Sequence, residues 1–261
     1  MTVHDVPNRG ETGMRLHTMT WMEVDAYLKE QNGIIVPIGS TEQHGPIGLI
    51  GTDSICPEVI ADRAAETLGC IVGPTISVGM AQHHLAFAGS IALRPSTLIL
   101  VIRDYVLSLA RNGFERFYFL NGHGGNIATI SAAFSEIHAE KSLNPGWERP
   151  HVRCKLANWF GFESIRSLSR ELYGDREGSH ATPSEVAVTQ FACPGHIKSV
   201  AMDPAPPRPR AFLDADDYRS IYPDGRIGAD SFLATPEAGG RLVAASAASV
   251  VDDYTAFMKE V

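Results

Sequence analysis

Short apolar runs alternate with amphipathic stretches along most of the chain. Gly33-Ile-Ile-Val-Pro-Ile-Gly39 has no polar position and is bounded by glycines, the pattern of a strand covered on both faces. Pro37 lacks an N–H and points to an early end or an edge position. Upstream, Thr20-Trp-Met-Glu23 has capping-box spacing and predicts a short helix to about Glu30. From Asp53 to Leu68, residues Ile55, Val59, Ile60 and Ala64 recur at helical spacing, and Gly69 stands where a C′ residue is expected. Cys70 to Gly73 reads as a second short strand. The clearest helix runs from about Thr97 to Asn112, with Ser96 as N-cap and Leu98, Ile102, Tyr105, Val106 and Leu109 as its apolar stripe.

Arg116-Phe-Tyr-Phe-Leu120 is an apolar strand that runs into Asn121-Gly-His-Gly-Gly-Asn126, after which Ile127, Ile130, Phe134 and Ile137 resume the helical period. That order is half of a βαβ unit. Further on, Val152 to Ala157 predicts a strand, and Ser184 to Phe191 a helix opened by Thr182-Pro183. Pro204 to Arg210 reads as an extended surface connection. Thr235-Pro236-Glu237 opens a last helix to about Lys259, with Leu242, Val250, Tyr254 and Phe257 as core candidates. The alternation predicts one α/β domain over residues 16–261 with a largely parallel sheet, after a flexible extension over residues 1–15.

Composition narrows the function classes. The 261 residues are 44% apolar and 20% charged, the usage of a globular protein. With 30 acidic against 22 basic residues and a formal charge of -8, nucleic-acid binding would need a basic stripe, and none is present. No run approaches the ~18 to 20 apolar residues of a membrane span, and the polar N-terminus lacks the core of a secretion signal, so the expected location is the cytoplasm. Cys56, Cys70, Cys154 and Cys193 are too widely spaced for a zinc pair or a disulfide framework and are expected to be reduced.

The residues after each apolar run carry the candidate chemistry, because open α/β sheets bind ligands beyond the carboxyl ends of their strands. If Glu42 and His44 stay extended, their i, i+2 spacing puts a carboxylate and an imidazole on one face. Asp53, after a Gly- and Pro-rich loop, can return its carboxylate to the same place or cap the following helix. His123, flanked by glycines, has room to enter a crowded cluster. Such ligands suit Zn, Mn or Fe, and a shared carboxylate can bridge two ions. Gly122, Gly124 and Gly125 could instead cradle a phosphate at a helix N-terminus, although neither G-x-G-x-x-G nor a Walker lysine is present. In Gly178 to Glu185, Thr182 and Glu185 form a second capping box, and His180 before it is a candidate proton carrier. There is no G-x-S-x-G elbow, no H-E-x-x-H and no cysteine in a Gly-rich activating context.

Gly39-Ser-Thr-Glu-Gln-His-Gly-Pro46, Gly51-Thr-Asp53, Asn121-Gly-His-Gly-Gly-Asn126 and His180 through Glu185 together resemble the creatininase (creatinine amidohydrolase) family over roughly residues 20 to 200. The resemblance implies a three-layer α/β/α sandwich with a mostly parallel central sheet, one or two Zn, Mn or Fe ions per subunit, hydrolysis of a C–N amide bond, and a homo-oligomer, often a hexamer. It matches Glu42, His44, Asp53 and His123 to metal ligands, with Asp53 as the bridge, and His180 to the proton-transferring histidine. Trp159 falls near the place of a substrate-covering aromatic residue. One departure matters: creatininase resembles Asn-Gly-His-x-Glu-Asn and uses that Glu as a ligand, whereas Gly125 stands here. Either Glu185 replaces it, the favoured reading since two imidazoles and two carboxylates leave a two-ion centre short of ligands, or the second ion is weak, or the site works with a single ion. Members sharing Asn-Gly-His-Gly-Gly-Asn include formamide deformylases, a mycofactocin-maturation peptidase and a hydrolase opening an oxidised inositol ring.

The expected function is hydrolysis of a small polar or cyclic amide by a metal-activated water, with Glu42 and His180 catalytic. Opening of a sugar-like keto ring at a C–C or lactone bond, or a phosphate-binding module, are the alternatives. Asn121, Asn126 and the N–H groups of Gly124 and Gly125 are candidate substrate donors. Gln82, His83 and His84 form a candidate pocket wall.

Overall fold

A computed structural model describes residues 14–144, 151–203 and 207–260. In chain order the elements are α1 (Trp21–Tyr27), β1 (Gly33–Ile38), α2 (Thr52–Leu68), β2 (Ile71–Val72), α3 (Pro95–Ala110) and β3 (Arg116–Asn121). They are followed by α4 (Ile127–Leu143), β4 (Arg153–Asn158), α5 (Glu163–Tyr173), α6 (Pro183–Ala192), α7 (Ala215–Ile221) and α8 (Pro236–Met258). The four strands pair in the order β2-β1-β3-β4, all parallel.

Strand alternation divides the core in two. Ile34, Val36, Ile38, Phe117 and Phe119 face α3 and α4, with Leu98, Ile102, Val106 and Ile130 packed against them. Ile35, Tyr118 and Leu120 face α2, α6 and α8, against Ile60, Val188, Leu242 and Val250. With helices on both faces the chain is a three-layer α/β/α sandwich, and β1 and β3, covered on both sides, are apolar throughout for that reason. Leu242, Val250, Tyr254 and Phe257 all lie in this core.

Several expectations are corrected. Pro37 sits in a central strand, not at an edge; its missing N–H is harmless because it faces the side on which β2 has already ended at Val72. Ser96 is not an N-cap: α3 starts at Pro95, whose fixed φ suits the first helical position, and Ser96 lies inside the first turn. The helix opened by Thr20 ends at Tyr27, short of Glu30. Helices α5 and α7 were not expected. The cysteines are free, Cys56 and Cys70 buried. Residues 1–13 of the N-terminal extension and 204–206 of the proline-rich connection lie outside the described residues. Met14 and Arg15 are tied to the body, Met14 by its carbonyl to Val72 N–H and Arg15 by ion pairs to Glu58 and Asp62.

A glycine follows each of β1 and β3, Gly39 and Gly122, and that positions the site. A Cβ on Gly39 or on Gly122 would overlap the backbone of Asp53. Only bare backbone at both strand ends lets the first turn of α2 settle between them and deliver Asp53 to the carboxyl edge of the sheet.

Candidate metal centre

Four segments bring their polar groups to that edge. Glu42 and His44 follow β1, Asp53 opens α2, His123 follows β3, and His180 and Glu185 flank the start of α6. Glu42, His44, Asp53 and His123 are all buried, Glu42 completely. His44 Nε2 lies 3.1 Å from Asp53 Oδ1 and 4.0 Å from Glu185 Oε2. His123 Nδ1 is 3.0 Å from Asp53 Oδ2 and 3.4 Å from Glu42 Oε1. His180 Nδ1 is 3.9 Å from the same Glu42 oxygen.

Backbone carbonyls set the tautomers. A carbonyl oxygen only accepts, so each ring nitrogen facing one carries the proton. His44 Nδ1 donates to Glu42 O at 3.1 Å, so Nε2, 3.1 Å from Asp53 Oδ1, is the nitrogen that becomes bare toward Asp53 and Glu185 when the ring is neutral. His123 Nε2 donates to Met80 O at 2.9 Å, so Nδ1 is the nitrogen that becomes bare toward Glu42 and Asp53 when the ring is neutral. His180 Nε2 donates to Gln43 O at 2.8 Å, leaving Nδ1 bare toward Glu42. A metal-binding imidazole is oriented in this way, by a fixed donor on its far nitrogen.

His84 has the opposite arrangement. The Gln43 amide is fixed by backbone on both sides: Oε1 accepts from Gly45 N–H at 2.8 Å and Nε2 donates to Gly225 O at 3.1 Å. Its other hydrogen has two imidazole nitrogens at 2.9 Å, His180 Nε2 and His84 Nδ1; with His180 Nε2 donating to Gln43 O, it goes to His84 Nδ1, so His84 Nε2 carries the proton and faces Glu42 Oε1 at 3.1 Å. In this tautomer His84 presents an N–H, not a lone pair, to Glu42 and is not turned to ligate.

The carboxylates fit a metal. Both oxygens of Glu42 and Oδ2 of Asp53 are buried without a hydrogen bond, although imidazole nitrogens stand within 3.4 Å. Buried carboxylate oxygens are costly to leave unpaired. Asp53 stands between the two imidazoles, with Oδ1 at 3.1 Å from His44 Nε2 and Oδ2 at 3.0 Å from His123 Nδ1, and a cation held among these oxygens and nitrogens would take the place of the shared protons. Glu42, Asp53 and His123 offer one ligand set, with His44 and Glu185 beside the other oxygen of Asp53.

Without a cation these charges perturb one another. Burial and then the Asp53 charge push the Glu42 carboxyl up. Burial also works to raise Asp53, but the charges of His44 and His123 outweigh it and hold this carboxyl far below its usual range. Burial works against charge on His44 and His123, yet their carboxylate neighbours win and raise them to about 10 and about 9. Burial and the neighbouring histidines depress His84 to about 3 and take His180 well below 6.5. Glu185 is raised by burial to about 7.

All the sequence-picked ligand candidates thus converge, and Glu185 has two jobs. Its Oε1 accepts from Thr182 N–H at 2.5 Å as the helix cap, while Oε2 faces His44. Asn121 and Asn126, picked as substrate donors, are fully buried and brace the scaffold instead. Asn121 donates to His123 O and Asn158 Oδ1; Asn126 donates to Gly39 O and accepts from Met80 N–H. Of the glycines picked for a phosphate cradle, Gly122 is committed to the fold, its N–H donating to Ile38 O. Trp159 is 1% exposed in the core, with one edge on a cavity that Gly124 also lines. Gly125 packs under His123, and His83 stacks on Phe212, with ring centroids 5.2 Å apart. Sequence reasoning placed His84 only on a pocket wall and did not single out Gln43; its position between the two ligand candidates Glu42 and His44 was the available signal.

The cavity, of about 450 Å³, opens beside the cluster. Asp53, His123, His180 and Glu185 form one wall, and Trp159 and Arg166 belong to another. Among the described residues no helix is long and apolar enough to cross a membrane.

Buried carboxylates and imidazoles converging at the carboxyl edge of a parallel sheet define an α/β protein with an enzyme's site. The chain belongs to the creatininase family: the family model for creatinine amidohydrolase matches residues 17–253. A mycofactocin precursor peptide peptidase of Mycolicibacterium smegmatis is 31% identical over 188 residues, 70% of this chain and 66% of the relative. A 3-dehydro-scyllo-inosose hydrolase of Thermotoga maritima is 32% identical over 43% of this chain and 37% of its own length. A creatinine amidohydrolase of Pseudomonas putida is 30% identical over 43% and 45%. The matches to these curated relatives thus span from about a third to just under two thirds of the relatives' lengths. The structure of creatininase Mn superimposes with a TM-score of 0.82 at 21% identity, covering 95% of this chain and all of the other, a likeness of fold.

Proposed function

We propose that the chain is a metal-dependent amidohydrolase, with Glu42, Asp53 and His123 holding one divalent ion and His44, Asp53 and Glu185 a second. The observation that carries this is Glu42: a completely buried carboxylate, both oxygens unpaired, ringed by imidazoles whose tautomers are set by backbone carbonyls. The donor set is carboxylate and imidazole without thiolate, which suits Zn, Mn or Fe. A divalent ion in such a site lowers the pKa of water toward ~7 and polarises a carbonyl.

The chain's own residues supply the rest. His180 lines the cavity with Nδ1 bare and is neutral at working pH, so it can take the proton that water sheds and return it to the leaving nitrogen. Its Nε2–H bond to Gln43 O keeps the ring aimed. His84, itself held by Gln43, stands 3.1 Å from Glu42 and closes that side of the carboxylate. The buried walls exclude bulk water from the cluster.

Elemental analysis of purified protein, followed by amide turnover with Glu42→Gln as control, tests this. Stoichiometric metal that falls in the variant, together with lost turnover, is the expected result; a variant that keeps both would refute the role of Glu42. The relative that hydrolyses 3-dehydro-scyllo-inosose favours a second reading, ring opening by the same cluster, which the same assay checks with a keto-inositol.

A further inference from the structure

Helix α5 turns two cations toward the cavity. Arg166 and Arg170, one turn apart, line it together with Ile165 and Ser169 of the same helix. Neither guanidinium makes an ion pair or hydrogen bond with a described residue. Both arginines are exposed where they line the cavity, and of the α5 carboxylates Glu171 pairs with Arg241 at 2.8 Å while Glu163 makes no ion pair with either. Nearby Arg176 shows the ordinary arrangement, paired with Asp230 at 2.6 Å.

We propose that Arg166 and Arg170 anchor an oxyanion, a carboxylate or phosphate, carried by the substrate on the part of the molecule away from the scissile bond. The inference rests on the amidohydrolase reading and makes the substrate an acidic amide. Two guanidinium groups on one helix face offer paired N–H donors matched to carboxylate or phosphate oxygens, and a substrate tail would supply the counter-charge this wall lacks. The cavity is of the size that takes a small molecule, with room for an amide at the cluster and an anion at α5. Trp159 and Phe160 offer apolar surface for the connecting atoms. Apart from Asp53 and Glu185 of the cluster, Glu177 is the acidic residue lining this cavity. Ser184 Oγ donates to it, and burial raises its pKa, so it sets less negative charge against the arginines than its formula suggests.

The test is binding of hydroxamates to protein loaded with Mn²⁺, by calorimetry. The probes carry tails of two to four methylenes ending in carboxylate, phosphonate or neutral carboxamide. The best acidic probe should bind wild type ~10-fold or more tighter than its carboxamide twin, and Arg166→Gln/Arg170→Gln should abolish that preference while leaving carboxamide binding unchanged. The order of carboxylate and phosphonate then says which oxyanion the site takes. Equal binding of acidic and neutral tails to wild type, or a preference that survives in the double variant, overturns the proposal. If no hydroxamate binds the loaded protein, or all bind equally without metal, the metal-centre reading itself fails and this inference falls with it.

Discussion

Glu185 faces His44 across 4.0 Å with one carboxylate oxygen while the other caps α6 on the backbone N–H of Thr182. Cap and ligand are therefore not alternatives, and two substitutions separate them. Glu185→Gln keeps an oxygen for the cap and removes the charge. Its metal-free stability should stay within about 0.5 kcal/mol of wild type while metal affinity falls. Glu185→Ala loses both, and denaturant unfolding of the metal-free protein should show a further loss of about 1 kcal/mol.

Gly125 lies so close beneath His123 that a Cβ there would overlap Nε2, the nitrogen donating to Met80 O. A carboxylate at position 125 is therefore incompatible with this placement of His123. Gly125→Ala should turn the imidazole and weaken metal binding by roughly 10- to 100-fold, the range for lost outer-shell orientation, with the fold retained by circular dichroism. Gly125→Glu should not rescue a Glu185→Gln variant.

Glu42→Gln preserves shape but not charge. Thermal unfolding of the metal-free variant should match wild type to within about 1 kcal/mol, whereas the rise in Tm on adding Mn²⁺ or Zn²⁺ should shrink or vanish. A full metal-induced rise in the variant would remove Glu42 from the ligand set.

Loading should release protons. His44 and His123 are raised to about 10 and about 9 in the metal-free cluster, so both are protonated at pH 7, and each must give up a proton to ligate. Apparent affinity should therefore rise with pH and level off only above about 9 to 10. Calorimetry at pH 7 in buffers of different ionisation enthalpy counts the protons. A pH-independent affinity between 7 and 9 would contradict the ligand assignment.

Much of this was legible along the chain. The two central strands are apolar without interruption because both faces are covered, and Glu42, His44, Asp53 and His123 stand immediately after such runs or at the helix that follows. Local features of that kind depend on neighbours within a few residues. Helix α5 escaped because its stripe of Ile165, Leu168 and Leu172 is set among arginines and glutamates and only becomes an apolar face when α8 and the α2 side of the core are there to cover it. Its two arginines were invisible as site residues for the same reason.

Sequence alone determined the α/β alternation, the family and the residues able to ligate, since period, caps and motif spacing are properties of short segments. Tertiary structure alone decided which nitrogen of each histidine is bare. The partners that set the tautomers are Met80 O for His123, Gln43 O for His180 and the Gln43 amide for His84, and most of them lie dozens of residues away. A ring's proton goes where a carbonyl can accept it, and only the folded chain places those carbonyls.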